Sequence, residues 1–481
     1  MLSYPIENRG TRTLYEFLCG CIREDIINGV LAPDTKLPSK RSFAANHGIS
    51  TVTVENAYAQ LTAEGYIYAK PRSGFYVSPI GGLSGAENTK SDLTIRSDEK
   101  PAAQQINLSA AHTAPENFPF SVWARLMRDV LAGQSGELLT PPPPGGVMQL
   151  RQAIAKHLRD FRGIHCSAEQ IIVGAGTEYL YNLLVQLLGQ EKIYGLENPG
   201  PRKLRSIYRA QGVRTVPLRM DEEGIMLTPE NLAMPDIIQI SPSHHFPTGI
   251  VTPVSRRYGL LQWASRSPER YIIEDDYDSE FRLQGKPIPS LFSIDATDRV
   301  IYLNTFTKSL ASTIRISYMV LPQPLLARFY ERLGFYSCTV SNFEQYTLAR
   351  FIGEGAFESH INRMRVRYRR IRDLLIQAIA KSSAAGRVHI TEENSGLHFL
   401  LCIDTDRSDA YLRQRAAECG LSVSFLSDYY STDYGGMDER YAHTAVISFS
   451  ALQEEDIPAA AAALENAFRA DDASARGDVV L

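Results

Sequence analysis

The chain has 481 residues, 44% of them hydrophobic, and 50 lysines and arginines stand against 54 aspartates and glutamates for a formal charge of −4. That length predicts about two to four domains with sizeable cores, and the small acidic balance carries no chain-wide signal for nucleic acid. No apolar run approaches membrane-spanning length and no basic-then-apolar leader opens the chain, so a cytoplasmic location is expected; six scattered cysteines predict reduced thiols and no metal site.

Residues 1–78 open with an apolar 3.6-residue pattern from about Thr11 to Asn28, with Leu14, Phe17, Leu18, Cys21 and Ile22 on one face and Gly29 as its stop. Ser39 is placed to cap a second short helix, Lys40 to about Asn46. Gly48 makes a tight turn, and Ser50 caps a third helix, Thr51 to about Glu64. Val54, Ala57, Tyr58 and Leu61 give that helix a core face, and Thr51, Thr53 and Asn56 lie on the other side. Two short helices about a glycine turn fit a helix-turn-helix. "YIYAKPRSGFYV" then reads as a β-hairpin, a wing, around Pro71 and Gly74. The head carries 8 basic and 7 acidic residues, so its charge of +1 decides nothing. The placement of Lys40 and Arg41 on the second helix, and of Lys70 and Arg72 in the wing, is what points to phosphate contacts. A small helical docking module is the bland alternative.

Residues 79–106 are rich in Gly, Ser, Pro and charge with almost no periodicity, which predicts a flexible linker. From 107 to 470 strands alternate with helices, the pattern of a mostly parallel sheet. "QIIVGAG" runs into "TEYLYNLLVQLLG", so Ala175, Gly176 and Thr177 fall at a helix start, where free N–H groups hold anions. "RYIIEDDYDSEF" is a buried strand ending in Asp275 and Asp276, with Tyr277 following. "VIYLNTFTKSLASTIR" is another, ending in Thr305, Thr307 and Lys308, with Arg315 seven residues on. His244 and His245 are adjacent and point apart, which favours wall or structural roles over a shared metal.

A lone lysine is ordinarily a solvated charge, and paired aspartates an ordinary strand end. Here acid, phenol, lysine and guanidinium all sit at carboxyl ends of strands, where open α/β sheets bind ligands. These are the parts of a pyridoxal phosphate site. Asp275 would keep the pyridine nitrogen protonated and Tyr277 would hydrogen-bond the ring oxygen. Lys308 would hold the aldehyde covalently until an amine displaces it, and Arg315 would clamp the phosphate.

"TFTKSLASTIRISYMVLP" resembles the cofactor-lysine segment of the fold-type I aminotransferases, and "IIEDDYDSEF" is closer still to the MocR/GabR-like regulators. The head resembles the GntR-family winged helix, on Gly29 to Arg41 and on "ISTVTVENAYAQLTAEGYIYAKPRSGFYV". The resemblance implies a winged helix-turn-helix joined to a large α/β aminotransferase-like domain with a smaller C-terminal α+β subdomain. It carries DNA contacts to Arg41, Ser50, Thr53 and Gly74; Arg72 is added on charge, and Thr51 stands where the family often has a base-reading arginine. It also implies a head-to-tail homodimer on a repeated operator and an amine or amino-acid effector.

Several positions depart from the aminotransferase pattern. Pro201 follows "NPG" in place of a ring-stacking aromatic, Pro141 occupies the region of a phosphate-reaching tyrosine, Phe246 replaces the asparagine of "NPTG", and Val446 aligns with the carboxylate-binding arginine. Cofactor binding without efficient turnover is therefore expected, in a transcription regulator that senses an amine, an amino acid or pyridoxal phosphate itself; an active aminotransferase with an accessory head is the alternative. Arg202, Lys203 and Arg205 are the candidate partners for an effector carboxylate.

Overall fold

The computed structural model describes residues 4–9, 12–79, 106–109, 114–133, 135–283, 288–394, 396–431 and 438–469. The chain divides into two compact units, Met1–Lys100 and Pro101–Leu481. The linker expected over 79–106 lies, apart from its two end residues, outside the described residues.

In the first unit α1 spans Leu14–Ile27, α2 Lys40–His47 and α3 Thr51–Ala63; β1, Ile67–Lys70, pairs antiparallel with β2, Gly74–Val77. α1 begins later than the apolar pattern predicts because Thr13 ends the chain's extended approach: its backbone N–H donates to Glu16 Oε2 at 3.0 Å and its hydroxyl does so at 2.6 Å. Leu18, Cys19, Ile22 and Ile26 form the buried stripe. Cys19 was not on the predicted face, whereas Leu14, Phe17 and Cys21 are only half-buried. The Cys19 thiol donates to the Ala57 carbonyl at 3.3 Å, tying α1 to α3. Ser39 Oγ caps α2 by accepting from Ser42 N at 3.2 Å, and Gly48, at φ 63°, ends it in the left-handed conformation.

The second unit is built on a sheet of eight described strands: β3 (Ile171–Gly174), β4 (Ile193–Asn198), β5 (Arg214–Asp221), β6 (Gly224–Ile225), β7 (Ile237–Ile240), β8 (Tyr271–Asp275), β9 (Val300–Thr305) and β10 (Ser317–Val320). Their spatial order is β3-β10-β9-β8-β7-β4-β5-β6. The run from β9 to β5 is parallel, and β3, β10 and β6 pair antiparallel at its margins. β9 is buried along its whole length, which is why it reads as a continuous apolar run rather than an alternating one. The helix Thr177–Leu188 lays Leu180, Leu183, Leu184, Leu187 and Leu188 against the sheet; each such side chain contributes about 1.5–3 kcal/mol when fully buried. A second, antiparallel sheet follows, ordered β11 (Val388–Thr391), β12 (His398–Ile403), β14 (Thr444–Ser448) and β13 (Ser424–Phe425). The helices Ala356–Lys381, Asp409–Glu418 and Ile457–Phe468 accompany it.

This topology places the chemistry. β8 and β9 are parallel neighbours with Leu303 opposite Asp275. The acid at the end of one strand and the lysine just past the end of the other therefore emerge at the same carboxyl edge.

Candidate functional site

Thr177, Asp275, Tyr277, Thr305, Thr307, Lys308 and Arg315 line one cavity of about 340 Å³. Asp275, Tyr277, Thr307 and Lys308 are shared with a wider cavity of about 1000 Å³, which reaches His398, Arg413 and Tyr429 of the C-terminal subdomain.

Asp275 accepts a 2.6 Å hydrogen bond from Tyr181 Oη at its Oδ2, while its Oδ1 is buried without a partner among the described residues. Burial pushes its pKa up to about 6, aided by Asp276 and Asp278 and opposed by the Tyr181 bond. Tyr277 Oη is likewise buried and unpartnered, and burial raises its pKa well above the ordinary phenol range. Lys308 is half-buried at the short helix Phe306–Ser309. Burial lowers its pKa, and the Asp278 carboxylate works against that. Upstream of it Thr305 Oγ1 accepts from Thr307 N at 3.1 Å and from Ser317 Oγ at 2.7 Å, which fixes the turn from strand to lysine.

At the other wall Gly176, φ 90°, precedes the helix Thr177–Leu188. A Cβ added there would strike the Arg315 guanidinium. Arg315, itself at φ 50°, lies 3.4 Å from Glu178 Oε1, which Lys203 also grips. Backbone N–H groups at a helix start and an exposed guanidinium beside them make an anion cradle. The same cavity is lined by Asp275 and Tyr277, whose buried Oδ1 and Oη have no partner among the described residues. A planar ring with a nitrogen at one end and a phosphate at the other matches that donor and acceptor set.

Asp276 is not part of the site. It is buried against Arg162 at 2.9 Å and accepts from Tyr302 Oη at 2.7 Å, a pair that pins β8 to the core. The histidines do point apart: His244 Nδ1 lies 3.0 Å from Asp278 Oδ1, and His245 Nδ1 lies 2.6 Å from Thr248 Oγ1. Of the three carboxylate candidates, Lys203 is tied to Glu178, and Arg205 donates to the Tyr429 carbonyl at 2.9 Å. Arg202 reaches Asp428 at 3.5 Å. Asp428 also binds Arg413 at 2.7 Å, a cation of the wider cavity that the sequence reading missed. Pro201 lines both cavities; Phe246 lines the wider one and stacks edge-on with His398 and Tyr429; Val446 is buried inside β14.

In the head, Ser50 Oγ caps α3 by accepting from Thr53 N at 3.1 Å and lies 2.8 Å from Thr53 Oγ1. Thr51 and Arg41 are exposed. Lys40 is engaged by Glu55 at 2.6 Å, so it locks α2 to α3 as much as it offers charge. Lys70 lies over the rings of Tyr68 and Tyr76. Arg72, φ 60°, turns the wing tip and Gly74, φ 119°, opens β2. Among the described residues no helix is long and apolar enough to cross a membrane, and no group of three or more His, Cys, Asp or Glu is placed to hold a metal.

Residues 14–77 match the family described as bacterial regulatory proteins, gntR family, and residues 103–427 match aminotransferase class I and II. The chain is 37% identical over 444 residues to the uncharacterized HTH-type transcriptional regulator YdeL of Bacillus subtilis, covering 92% of this chain and 94% of that protein. It is 32% identical to the probable rhizopine catabolism regulatory protein MocR of Rhizobium meliloti, with 86% of each covered. Identity is also 32% to the pyridoxine biosynthesis transcriptional regulator PdxR of Corynebacterium glutamicum, over 85% of this chain and 87% of that one. Among solved structures, the Pyrococcus horikoshii kynurenine aminotransferase superposes with a TM-score of 0.66 at 22% identity, over 76% of this chain and 91% of its own, which shows the shared fold. The chain belongs to the MocR-like HTH-type transcriptional regulators, in which a gntR-family winged helix is fused to an aminotransferase class I and II domain of fold type I.

Proposed function

We propose that this regulator binds pyridoxal phosphate at Lys308 and alters its grip on DNA when an amine or amino acid reaches that site. The observation that carries the reading is the convergence on one cavity of Lys308, Arg315 and two buried polar atoms without a hydrogen-bond partner among the described residues, Asp275 Oδ1 and Tyr277 Oη. Buried polar atoms left unpaired cost about 1–3 kcal/mol each, and a pyridine nitrogen and a ring oxygen would satisfy both.

When bound, the cofactor supplies an aldehyde that a lysine or an incoming amine can hold covalently, and a ring that accepts electrons. The chain's own residues do the rest. Gly176, Thr177 and Arg315 hold the phosphate, with Thr305 and Thr307 setting the adjoining strand end. Asp275 holds a proton on the ring nitrogen, and Tyr277 orients the ring oxygen. Lys308, its pKa lowered by burial, would be the amine that holds the cofactor and that an effector displaces. Pro201 in place of a stacking aromatic, and Val446 in place of a carboxylate-binding arginine, favour sensing over turnover.

The head binds double-stranded operator DNA through Arg41, Ser50, Thr51, Thr53, Arg72 and Gly74. A head-to-tail homodimer would present two recognition helices to a repeated site. The effector's contribution is to favour one of two arrangements of the protein over the other. The test is visible absorbance of the purified full-length protein with added pyridoxal phosphate, wild type against Lys308→Ala, alongside operator affinity with cofactor alone and with amines. A band in the wild type only, with operator affinity changed by amines, supports the reading. Absence of a band in both sinks it, and sustained keto-acid production would make the protein an active aminotransferase instead.

A further inference from the structure

The wider cavity contains one buried acid that the cofactor does not use. Asp278 follows the β8 turn, is 2% exposed, and lines that cavity together with Lys308. Its Oδ1 is oriented by His244 at 3.0 Å, and its Oδ2 has no hydrogen-bond partner among the described residues. Gly396, at φ +79°, makes room for it: a Cβ there would strike Oδ2 and crowd His244 Nδ1. The site is therefore built around this carboxylate rather than merely tolerating it.

The groups that face Asp278 are Asp275, Tyr277 and Glu280 from its own segment, His244, Lys308, and His398 from β12. Three of these are acids or a phenol and offer it no positive charge. His398 is held neutral, its pKa pushed down to about 4 by burial. Lys308 is one basic neighbour, on which the Asp278 carboxylate works against the effect of burial, and His244 at 3.0 Å is the other. With Lys308 engaged by the cofactor, Asp278 Oδ2 would be left without a donor among the described residues, a costly position for a buried carboxylate oxygen. An amine arriving in water as an ammonium ion brings a positive charge with it, with two or three N–H donors for the unpartnered oxygen.

We propose that Asp278, oriented by His244, is the docking group for the effector's ammonium, holding it beside Lys308 before exchange. This rests on the reading of Lys308 as the cofactor lysine. The effector class is then a primary amine that is cationic at neutral pH, and Asp278 is a binding and positioning residue rather than a catalytic one.

The test uses the full chain loaded with pyridoxal phosphate, in wild type, Asp278→Asn and His244→Gln. Absorbance reports two probes: ethylamine, cationic at neutral pH, and methoxyamine, which reacts with the same carbonyl carbon but is uncharged. Asp278→Asn should raise the half-saturating ethylamine concentration by about tenfold or more, the usual worth of a charged hydrogen bond. His244→Gln should raise it less, and the half-saturating methoxyamine concentration should rise far less than that of ethylamine in Asp278→Asn. Structural damage would slow both probes together, and that result overturns the proposal. So does an unchanged ethylamine response in Asp278→Asn, which leaves the cofactor reading standing. Absence of a lysine–cofactor band in the wild type overturns both.

Discussion

The guanidinium of Arg315 occupies the space that a side chain on Gly176 would fill. Gly176 holds φ 90°, a conformation open to glycine and strained for other residues by about 1–3 kcal/mol. Gly176→Ala should therefore act twice. It should lower thermal stability by about that amount, and it should drive the arginine out of the cradle. Loss of one guanidinium–phosphate contact predicts pyridoxal phosphate binding weaker by about tenfold or more. A cofactor titration followed by absorbance checks it; binding as tight as wild type would show that Arg315 serves elsewhere.

Asp275 gives a pH-dependent prediction with a definite sign. Its folded pKa, about 6, lies above the value near 3.9 of an unfolded aspartate. The folded chain thus binds the proton more tightly, and the stability linked to this group is present below pH 4 and lost as pH rises through 6. Cofactor-free wild type should lose stability over that window relative to Asp275→Asn, which cannot ionise. With pyridoxal phosphate bound, a protonated ring nitrogen beside the carboxylate should abolish that difference. Thermal unfolding of both proteins at pH 4, 5, 6 and 7, with and without cofactor, reads it directly.

How far the sequence could foretell this site depends on what each residue leans on. Asp275, Tyr277 and Lys308 follow apolar parallel strands, and strand periodicity with parallel topology is enough to bring such ends to one edge; Arg315 instead precedes the antiparallel β10, whose start, Ser317, lies opposite Thr305 at that edge. The winged helix was legible for a similar reason: Ser39, Gly48 and Ser50 are local punctuation, and capping needs only a few neighbours. What stayed hidden depends on distant chain. Nothing in "EDDYD" tells that Asp276 turns inward to Arg162, 114 positions earlier, while Asp275 keeps an oxygen for the cavity. The pairing of Asp278 with His244, and of Arg413 with Asp428, likewise joins segments that no local pattern connects. Cys19 escaped the predicted face because that face was centred on Leu14, Phe17 and Cys21, whereas the stripe that meets α3 is Leu18, Cys19, Ile22 and Ile26, itself at helical spacing.

In the head, capping and DNA contact are separable. Ser50→Ala removes the acceptor of Thr53 N and should cost the head about 0.5–2 kcal/mol. Arg41 is exposed and caps nothing, so Arg41→Ala should leave stability within about 0.5 kcal/mol while weakening operator binding. If Arg41 contacts phosphate, the slope of log affinity against log salt should fall by about one unit, and the loss should be similar for operator and unrelated DNA. A loss confined to the operator would instead place Arg41 on a base edge.

Lys308 can be tested by when it reacts as well as by whether it does. Only the neutral amine bonds to an aldehyde. An ordinary lysine, with a pKa near 10.4, offers almost none of it at neutral pH. Burial lowers the Lys308 pKa, so the neutral form gains ground, and Asp278 holds part of that shift back. The rate at which the lysine–cofactor band develops should therefore level off at a pH below 10.4. In Asp278→Asn, with the opposing carboxylate gone, it should level off lower still. Lys308→Ala should show no band at any pH, yet it should retain reversible cofactor binding by equilibrium dialysis, because Asp275, Tyr277 and Arg315 remain. Levelling at the pH of free lysine would mean that the amine stays hydrated, and the displacement step assigned to it would lose its physical basis.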